Sequence, residues 1–490
     1  MMNIGQILAS RAALQGEKIG FIHKQSTMTF AEMNARANSF TQYLKREGVK
    51  AGDKIALLCK NNEHVVAAFF GAAKMGVVTV VLNYRLQGAE LDYIVAHSDA
   101  KLLIFDDAFS EAAQQLSIQS LATSALERIY GEPALEPTYE TSDNTPILMM
   151  YTSGTTGKPK GVLLSHLNLQ AASIGLSHTI DWWEQDRFLM VAPFFHIGGF
   201  APLITNVHTG ATMVLMEDFH PVEAWKAIEA YQITTMMTVP AMLAFMLKTY
   251  PLVKSDFSSI RTISCGASVV PKALILGFRQ LGIPIQQVYG VTEFTGGVSF
   301  WKESQNEKKF DSMGKPVMQA QLRIVDVQTK QPVREGTVGE IVLGGPQVFV
   351  GYYKDDRSYV EAVRNGELYT GDVGYIDEEG FVYVVDRLKD MIISGGENIY
   401  SAELEAVLSE HPAIAEVAVL GVPNEQWGEI PRAYVVKAEG QHIEIEDIVA
   451  YCKSKLASYK CVKEVVFLEQ LPRNAVGKIL KKHLVVSDRV

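Results

Sequence analysis

Cysteine is scarce in this sequence, and the four present, Cys59, Cys265, Cys452 and Cys461, form no C-x-x-C pair. That usage excludes a disulfide framework and suits a reducing cytoplasm. No two glycines are separated by a single residue, although the chain holds 38 of them, so the usual dinucleotide fingerprint is missing. Long uncharged apolar runs are missing too. The longest, Val65 to Leu82, is interrupted by Lys74 and Gly76 and reads as a buried helix followed by a strand rather than a membrane span. Met1 to Ser10 lacks a basic stretch leading into an apolar one, so no secretory signal is read, and neither end carries a lipidation pattern. Positive charge is in deficit: the formal net charge of -10 argues against broad attraction to nucleic acid or anionic lipid, although a local basic cleft can still hold phosphates. There is no internal repeat and no low-complexity tract.

What remains is an ordinary globular composition, 48% hydrophobic and 20% charged, in a chain of 490 residues. That length exceeds the size at which one hydrophobic core stops growing, so two or more domains are expected. From Ser26 to about Asp107 a helical pattern at Phe30 to Arg46 alternates with β-rich runs at Lys54 to Cys59 and Val77 to Leu82, which implies crossover units and a mostly parallel sheet. The stretch Phe109 to Asn144 is more polar and irregular and reads as surface cover before a strand at Ile147 to Tyr151. Alternation resumes from Arg187 to Phe300, with strands expected at Phe188 to Ala192, Thr212 to Leu215, Thr234 to Val239, Thr262 to Cys265 and Gln286 to Tyr289. This is a second α/β lobe. After Asp311 short strands separated by glycine turns, Gln321 to Val327, Gly339 to Leu343, Glu367 to Tyr369 and Phe381 to Asp386, suggest a β-rich subdomain. Beyond Lys389 the last hundred or so residues are enough for a separate α+β domain. In it Ser401 is expected to cap a helix bearing Leu404, Val407 and Leu408. Strands should follow at Ile414 to Leu420 and Ala433 to Val436, then a helix at Ile445 to Leu456.

One segment stands out chemically. Tyr151-Thr-Ser-Gly-Thr-Thr-Gly-Lys-Pro-Lys-Gly-Val162 places hydroxyls and glycines ahead of Lys158, so that backbone N–H groups and side-chain donors can surround an anion. It is not a Walker A loop, because Pro159 follows Lys158 and the glycine spacing differs. The string resembles the phosphate-loop signature of the adenylate-forming superfamily, which includes acyl-CoA synthetases, luciferases and the adenylation domains of peptide synthetases. Further motifs of that family follow in order: Tyr289-Gly-Val-Thr-Glu293, Tyr369-Thr-Gly-Asp372, Asp386-Arg-Leu-Lys-Asp-Met-Ile392 with Gly395-Gly-Glu-Asn398, and Pro472-Arg-Asn-Ala-Val-Gly-Lys478. The resemblance runs from about Phe30 to Lys482.

The resemblance implies an α/β fold with a large N-terminal domain, residues 1–386, made of two α/β lobes and a β-rich subdomain. A hinge at 387–390 and a small mobile α+β domain at 391–490 would follow. It also implies roles. Lys478 would bridge the acid and the α-phosphate, because an anion attacking a polyanion needs positive charge at the developing pentacoordinate phosphorus. Glu293 would hold Mg²⁺, helped by Thr155, with Thr292 as a hydroxyl for the α-phosphate. Thr152, Ser153, Gly154, Thr155, Thr156, Gly157 and Lys158 would hold the phosphates. Asp372 and Arg387 would anchor the ribose hydroxyls, Tyr289 would stack on adenine, and Gly266 and Ala267 would line its other side beside Gly290. Cys265 departs from the glycine common in relatives.

Lys389 occupies the hinge position, and Gly395 and Gly396 would edge a pantetheine tunnel. Pro193-Phe-Phe-His-Ile-Gly-Gly199 looks like the acid-pocket motif. His196 would stand at the junction of carboxylate and nucleotide sites, as a wall or gate and as a candidate catalytic group, with Thr238, Val239 and Gly290 as further walls. Val476 and Ser401 depart from the family's usual Ser or Thr and Pro. The activity implied is ATP-dependent ligation of a carboxylic acid to coenzyme A, through acyl-AMP and pyrophosphate. A fatty or other hydrophobic monoacid is the first expectation and an aryl or succinyl-aryl acid the next.

The rival readings are an enzyme that loads a carrier protein, a P-loop-type phosphotransferase yielding ADP, and a silent nucleotide-binding protein. The expected partners are therefore the acid, ATP and CoA, with no nucleic acid and no membrane span. A homodimer is left open.

Overall fold

The computed structural model describes residues 3–139, 141–152, 159–253, 255–268, 270–394, 397–458, 460–473 and 479–484. The chain separates into two compact units, one of residues 1–322 and 342–369, the other of residues 323–341 and 370–490.

The first unit holds two large sheets. Among the described residues the larger has nine strands in the order Lys315–Pro316, Gly296–Trp301, Ile285–Val291, Thr262–Gly266, Thr235–Thr238, Arg187–Met190, Thr212–Leu215, Ile19–His23, Ser26–Thr29. Its middle six are parallel, as the alternation of strand and helix required. The second sheet runs Gly351–Tyr352, Lys160–Ser165, Pro146–Thr152, Val78–Val81, Lys54–Leu58, Ala100–Phe105, Gln119–Ala122. It is parallel except where Lys160–Ser165 turns back on Pro146–Thr152 and Gly351–Tyr352 pairs outside it.

Helices form where pattern and caps agree. Phe30–Arg46 buries Phe30, Met33, Ala37, Phe40 and Leu44, a 3.6-residue stripe. Its start is a capping box: Thr29 Oγ1 accepts from the Glu32 N–H at 3.2 Å and the Glu32 carboxylate accepts from the Thr29 N–H at 2.7 Å. The apolar run Val65 to Leu82 is the helix Glu63–Lys74 and the strand Val78–Val81. Lys74 is fully buried, with its ammonium held by Asn34 Oδ1 at 2.7 Å, Asn38 Oδ1 at 2.6 Å and Glu136 Oε1 at 2.6 Å. A buried charge is tolerable only when paired in this way. Among the described residues no helix is long and apolar enough to cross a membrane.

Two sequence expectations need correction, and one region went unread. The chain start, where only the lack of a secretory signal was noted, forms the helix Ile4–Gln15, capped by Asn3, and the strand Ile19–His23 joins the larger sheet beside Thr212–Leu215. That pairing spans almost two hundred residues, and no local pattern announces it. Phe109 to Asn144 is more regular than its polarity suggested, with helices Ser110–Gln115 and Thr123–Tyr130 and the edge strand Gln119–Ala122. Ser401 is the first helical residue rather than the cap. Its hydroxyl donates to Asp386 Oδ2 at 3.1 Å, and the same carboxylate oxygen accepts from the Ala402 N–H at 3.2 Å, so Asp386 supplies the cap from outside the helix.

In the second unit a mixed sheet runs Glu397–Ile399, Ile392–Ser394, Gly428–Lys437, Ile414–Asn424, with Glu464–Phe467 parallel to Gly428–Lys437. Helices Ser401–Ser409 and Ile445–Lys455 bury Leu404, Leu408, Ile448 and Cys452 in a core shared with Val417, Val419, Ala433 and Val435. This is the expected α+β tail.

Candidate active site

Four neighbouring parallel strands of the larger sheet end in sequence-predicted site residues. Arg187–Met190 leads into Pro193 to Gly199, Thr235–Thr238 ends at Thr238 and Val239, Thr262–Gly266 ends at Gly266 and Ala267, and Ile285–Val291 carries Tyr289 and Gly290 into Thr292 and Glu293. Residues separated by up to a hundred positions thus share one edge, the carboxyl end of a parallel sheet, where open α/β sheets bind ligands.

Local chemistry explains the residue types. A Cβ on Gly266 would come within 2.3 Å of Val288 Cγ1, and one on Gly290 within 2.3 Å of the Gly296 carbonyl oxygen, so neither position accepts a side chain. Ala267 follows with φ of +70°, a left-handed conformation unusual for alanine and a mark of a constrained site. Tyr289 is 8% exposed. Thr238 is buried and its hydroxyl donates to the Ser264 carbonyl at 3.1 Å. Burial pushes the Cys265 thiol up to about 12, which makes that departure from the family pattern chemically quiet.

His196 stands just ahead of the helix Ile197–Thr209, its ring 4.5 Å from that of Phe195. Its Nε2 is buried without a hydrogen-bond partner among the described residues. Burial, with Arg85 adding repulsion, lowers its pKa to about 4, so the imidazole is neutral at pH 7. The segment before it is fixed from the other lobe: Asn61, 1% exposed, donates to the Ala192 carbonyl at 3.0 Å and accepts from the Phe194 N–H at 2.9 Å. Arg85 lies against the rings of Tyr84 and Phe195. Neither Asn61 nor Arg85 carried a sequence signal.

The phosphate-loop motif connects two antiparallel strands. Tyr151 pairs with Gly161 and Thr152 with Lys160. Ser153, Gly154, Thr155, Thr156, Gly157 and Lys158 lie outside the described residues, but both feet of the loop are defined. On one foot the Tyr151 hydroxyl is 2.8 Å from His97 Nδ1. On the other, Gly351–Tyr352 pairs with the outgoing strand. Tyr352 then donates to Glu293 Oε1 at 2.9 Å. Burial, and then the Glu293 charge, push that phenol up, so it stays a neutral donor.

In the second unit Asp372 and Arg387 face each other across antiparallel strands Glu367–Ile376 and Val382–Arg387. Arg387 Nε is 2.9 Å from Asp372 Oδ1, and Asp372 is 3% exposed. Gly371, within the strand and just before the carboxylate, has φ of +69°, a left-handed conformation that glycine adopts without steric cost. Lys389 is exposed. Gly395, Gly396 and Lys478 lie outside the described residues.

Among the described residues no group of three or more His, Cys, Asp or Glu could cage a metal. A single fixed carboxylate such as Glu293 does fit magnesium, which keeps several waters and is bound through one or two carboxylates plus substrate phosphates.

Comparison with known proteins agrees with this arrangement. The AMP-binding enzyme family matches residues 8–353, and the AMP-binding enzyme C-terminal domain matches residues 403–478. Long-chain-fatty-acid–CoA ligase FadD13 of Mycobacterium tuberculosis is 36% identical, over 98% of this chain and 97% of its own. A 2-succinylbenzoate–CoA ligase of Bacillus cereus is 37% identical, over 97% of both chains. The structure of o-succinylbenzoate coenzyme A synthetase (MenE) from Bacillus subtilis, in complex with ATP and magnesium ion, matches with a TM-score of 0.89 at 34% identity, over 98% of this chain and 99% of that one. With the ordered motifs, the strand-edge site and these full-length likenesses together, the chain belongs to the AMP-binding, adenylate-forming superfamily, as one of its ATP-dependent acid–CoA ligases.

Proposed function

We propose that the acid is a fatty or other hydrophobic monocarboxylic acid, activated and transferred in two steps at the strand edge of the larger sheet. In the first, a carboxylate oxygen attacks the α-phosphorus of ATP, the bond to the β-phosphate oxygen breaks, and pyrophosphate leaves. In the second, the CoA thiol loses its proton and attacks the acyl carbonyl, and AMP departs with the electron pair of the C–O bond.

The observation that carries the reading is the convergence of Pro193 to Gly199, Thr238, Gly266, Ala267, Tyr289, Gly290, Thr292 and Glu293 on adjacent strand ends. The wall around His196 is apolar, with Phe194, Phe195, Ile197 and Phe200 buried. A Cβ on Gly198 would meet nothing within 4 Å. The neutral imidazole suits an uncharged acyl group and adds no cation of its own to that wall, and Arg85, which lies against Phe195, is exposed.

In this reading Tyr289, Gly266 and Ala267 flank the adenine, Asp372 and Arg387 take the ribose hydroxyls, and the loop 152–158 holds the phosphates. Glu293, with Thr155, holds the magnesium accompanying ATP, whose charge neutralises phosphate oxygens. Lys478 neutralises the attacking acid and the α-phosphate. Residues 1–386 act as the nucleotide- and acid-binding domain, 387–390 as a hinge around Lys389, and 391–490 as the domain bringing Lys478 and then Gly395 and Gly396 to the reaction. All four cysteines are buried and free, in keeping with a cytoplasmic enzyme.

A succinyl-aryl acid is the second reading, favoured by the Bacillus cereus relatives. Pyrophosphate release and AMP formation, measured over straight-chain, aromatic and dicarboxylic acids with and without CoA, tests both. Turnover highest with medium or long straight chains and dependent on CoA is expected. A preference for dicarboxylic aryl acids, or an acyl-AMP that CoA never consumes, would sink the first reading.

A further inference from the structure

The segment Phe349 to Lys354, Phe-Val-Gly-Tyr-Tyr-Lys, lies between recognised motifs and ties two of them, Tyr151 to Val162 and Tyr289 to Glu293, together. Gly351 and Tyr352 pair with Leu163 and Val162 on the strand leaving the phosphate loop, and the Tyr353 N–H donates to the Gly161 carbonyl at 2.8 Å. Strand alternation sends successive tyrosines to opposite faces. Tyr352 donates to Glu293 Oε1 at 2.9 Å, while the Phe349 N–H donates to the Glu293 carbonyl at 2.9 Å, so one strap holds both side chain and backbone of that glutamate. On the other face Tyr353 donates to Asp99 Oδ2 at 2.6 Å, and its ring meets His97 edge-on at 5.9 Å. His97 in turn binds Tyr151 on the strand entering the loop. The Tyr352 ring is fixed by Phe349, edge-on at 4.7 Å, and by Lys160, whose ammonium lies 5.2 Å from the ring centre.

We propose that Tyr352 is a positioning residue that fixes the Glu293 carboxylate relative to the strand Lys160–Ser165, so that the site favours magnesium-ATP over metal-free ATP. This rests on the reading of Glu293 as the metal carboxylate. A glutamate has three side-chain torsions, and a carboxylate meeting a phosphate-bound cation must be held in one of their combinations. A phenol suits the task. It orients the carboxylate through one donated hydrogen bond yet brings no positive charge to compete with the cation, as lysine or arginine would.

The test is equilibrium binding of α,β-methylene-ATP to the full chain by calorimetry, in excess Mg²⁺ and in EDTA, for the wild type, Tyr352→Phe, Glu293→Gln and the double variant. Tyr352→Phe keeps the ring and its packing. It should weaken binding about tenfold in Mg²⁺, the usual scale for a partner that orients a metal ligand, and leave binding in EDTA unchanged. Glu293→Gln should lose most of the magnesium-dependent gain, and adding Tyr352→Phe to it should cost nothing further. Equal weakening of Tyr352→Phe in both conditions, or in neither, overturns the positioning role while the Glu293→Gln result still stands for the metal carboxylate. A full magnesium-dependent gain in Glu293→Gln overturns that underlying reading, and the inference with it.

Discussion

The two sheets of the first unit contribute to the candidate site in different ways. The nine-stranded sheet gives scattered residues from four parallel strand ends, brought together only by the fold. The seven-stranded sheet gives one contiguous motif bounded by two antiparallel strands. The supports differ as well. The strand edge is pinned by an amide, Asn61, whose hydrogen bonds do not depend on pH. The lobe carrying the loop is pinned by imidazoles: His97 under Tyr151, and His166 directly after the outgoing strand. In the proposed reading, acid and adenine recognition should therefore fail through lost geometry, and phosphate recognition through lost geometry or through protonation.

The sharpest break comes at Asn61. Asn61→Leu leaves the Ala192 carbonyl and the Phe194 N–H without the partner each now has, at about 1–3 kcal/mol for each buried group. A loss of about 3 kcal/mol in urea unfolding is expected, with a raised KM for the acid and little change in KM for ATP. If ATP suffers as much as the acid, the strand edge and the loop do not act separately.

That asymmetry also explains what the sequence made legible. The loop could be read from Tyr151 to Val162 because its chemistry is contiguous. The helix Phe30–Arg46 could be read because its stripe and capping box are local. The strand-end residues were legible only as family motifs, since nothing in the spacing of His196, Gly266 and Tyr289 says that their strands are neighbours. The supports were not legible at all. Asn61 is adjacent to Asn62, which caps the helix Glu63–Lys74, and the sequence cannot say which asparagine serves the helix and which reaches across to another lobe. Tyr352 and Tyr353 look alike in sequence, and only the pairing of Gly351–Tyr352 with its neighbour strand sends one to Glu293 and the other to Asp99.

A milder perturbation uses pH. His166 Nδ1 accepts from the Ile4 N–H at 3.0 Å, and its Nε2 lies 3.2 Å from Thr141 Oγ1, an arrangement that requires the neutral ring. Burial lowers its pKa to about 4, against about 6.5 when the chain is unfolded. The unfolded state then binds the extra proton first as pH falls, so this contribution to stability is intact above about pH 6.5 and lost on the way down to 4. One such group adds a slope of up to about 1.4 kcal/mol per pH unit across that window. His166→Asn should reduce the slope by about that amount in urea unfolding followed from pH 7 to pH 4.5. An unchanged slope would mean that His166 does not titrate with unfolding, and the contrast between amide and imidazole supports would lose its basis.

The smallest effect is the most selective. His97→Phe keeps a ring between Tyr93 and Tyr353 but removes the nitrogen facing the Tyr151 hydroxyl. One hydrogen bond is worth about 1 kcal/mol, roughly fivefold in an equilibrium constant. Because Tyr151 stands at the foot of the phosphate loop, KM for ATP should rise about fivefold, while KM for the acid and thioester formation from supplied acyl-AMP stay as in the wild type. Only the first step uses the triphosphate, so a matching loss in the second would show that His97 supports the sheet as a whole. A loss confined to the first would show that one imidazole holds the loop to its lobe, as Asn61 holds the segment before His196 to the strand edge.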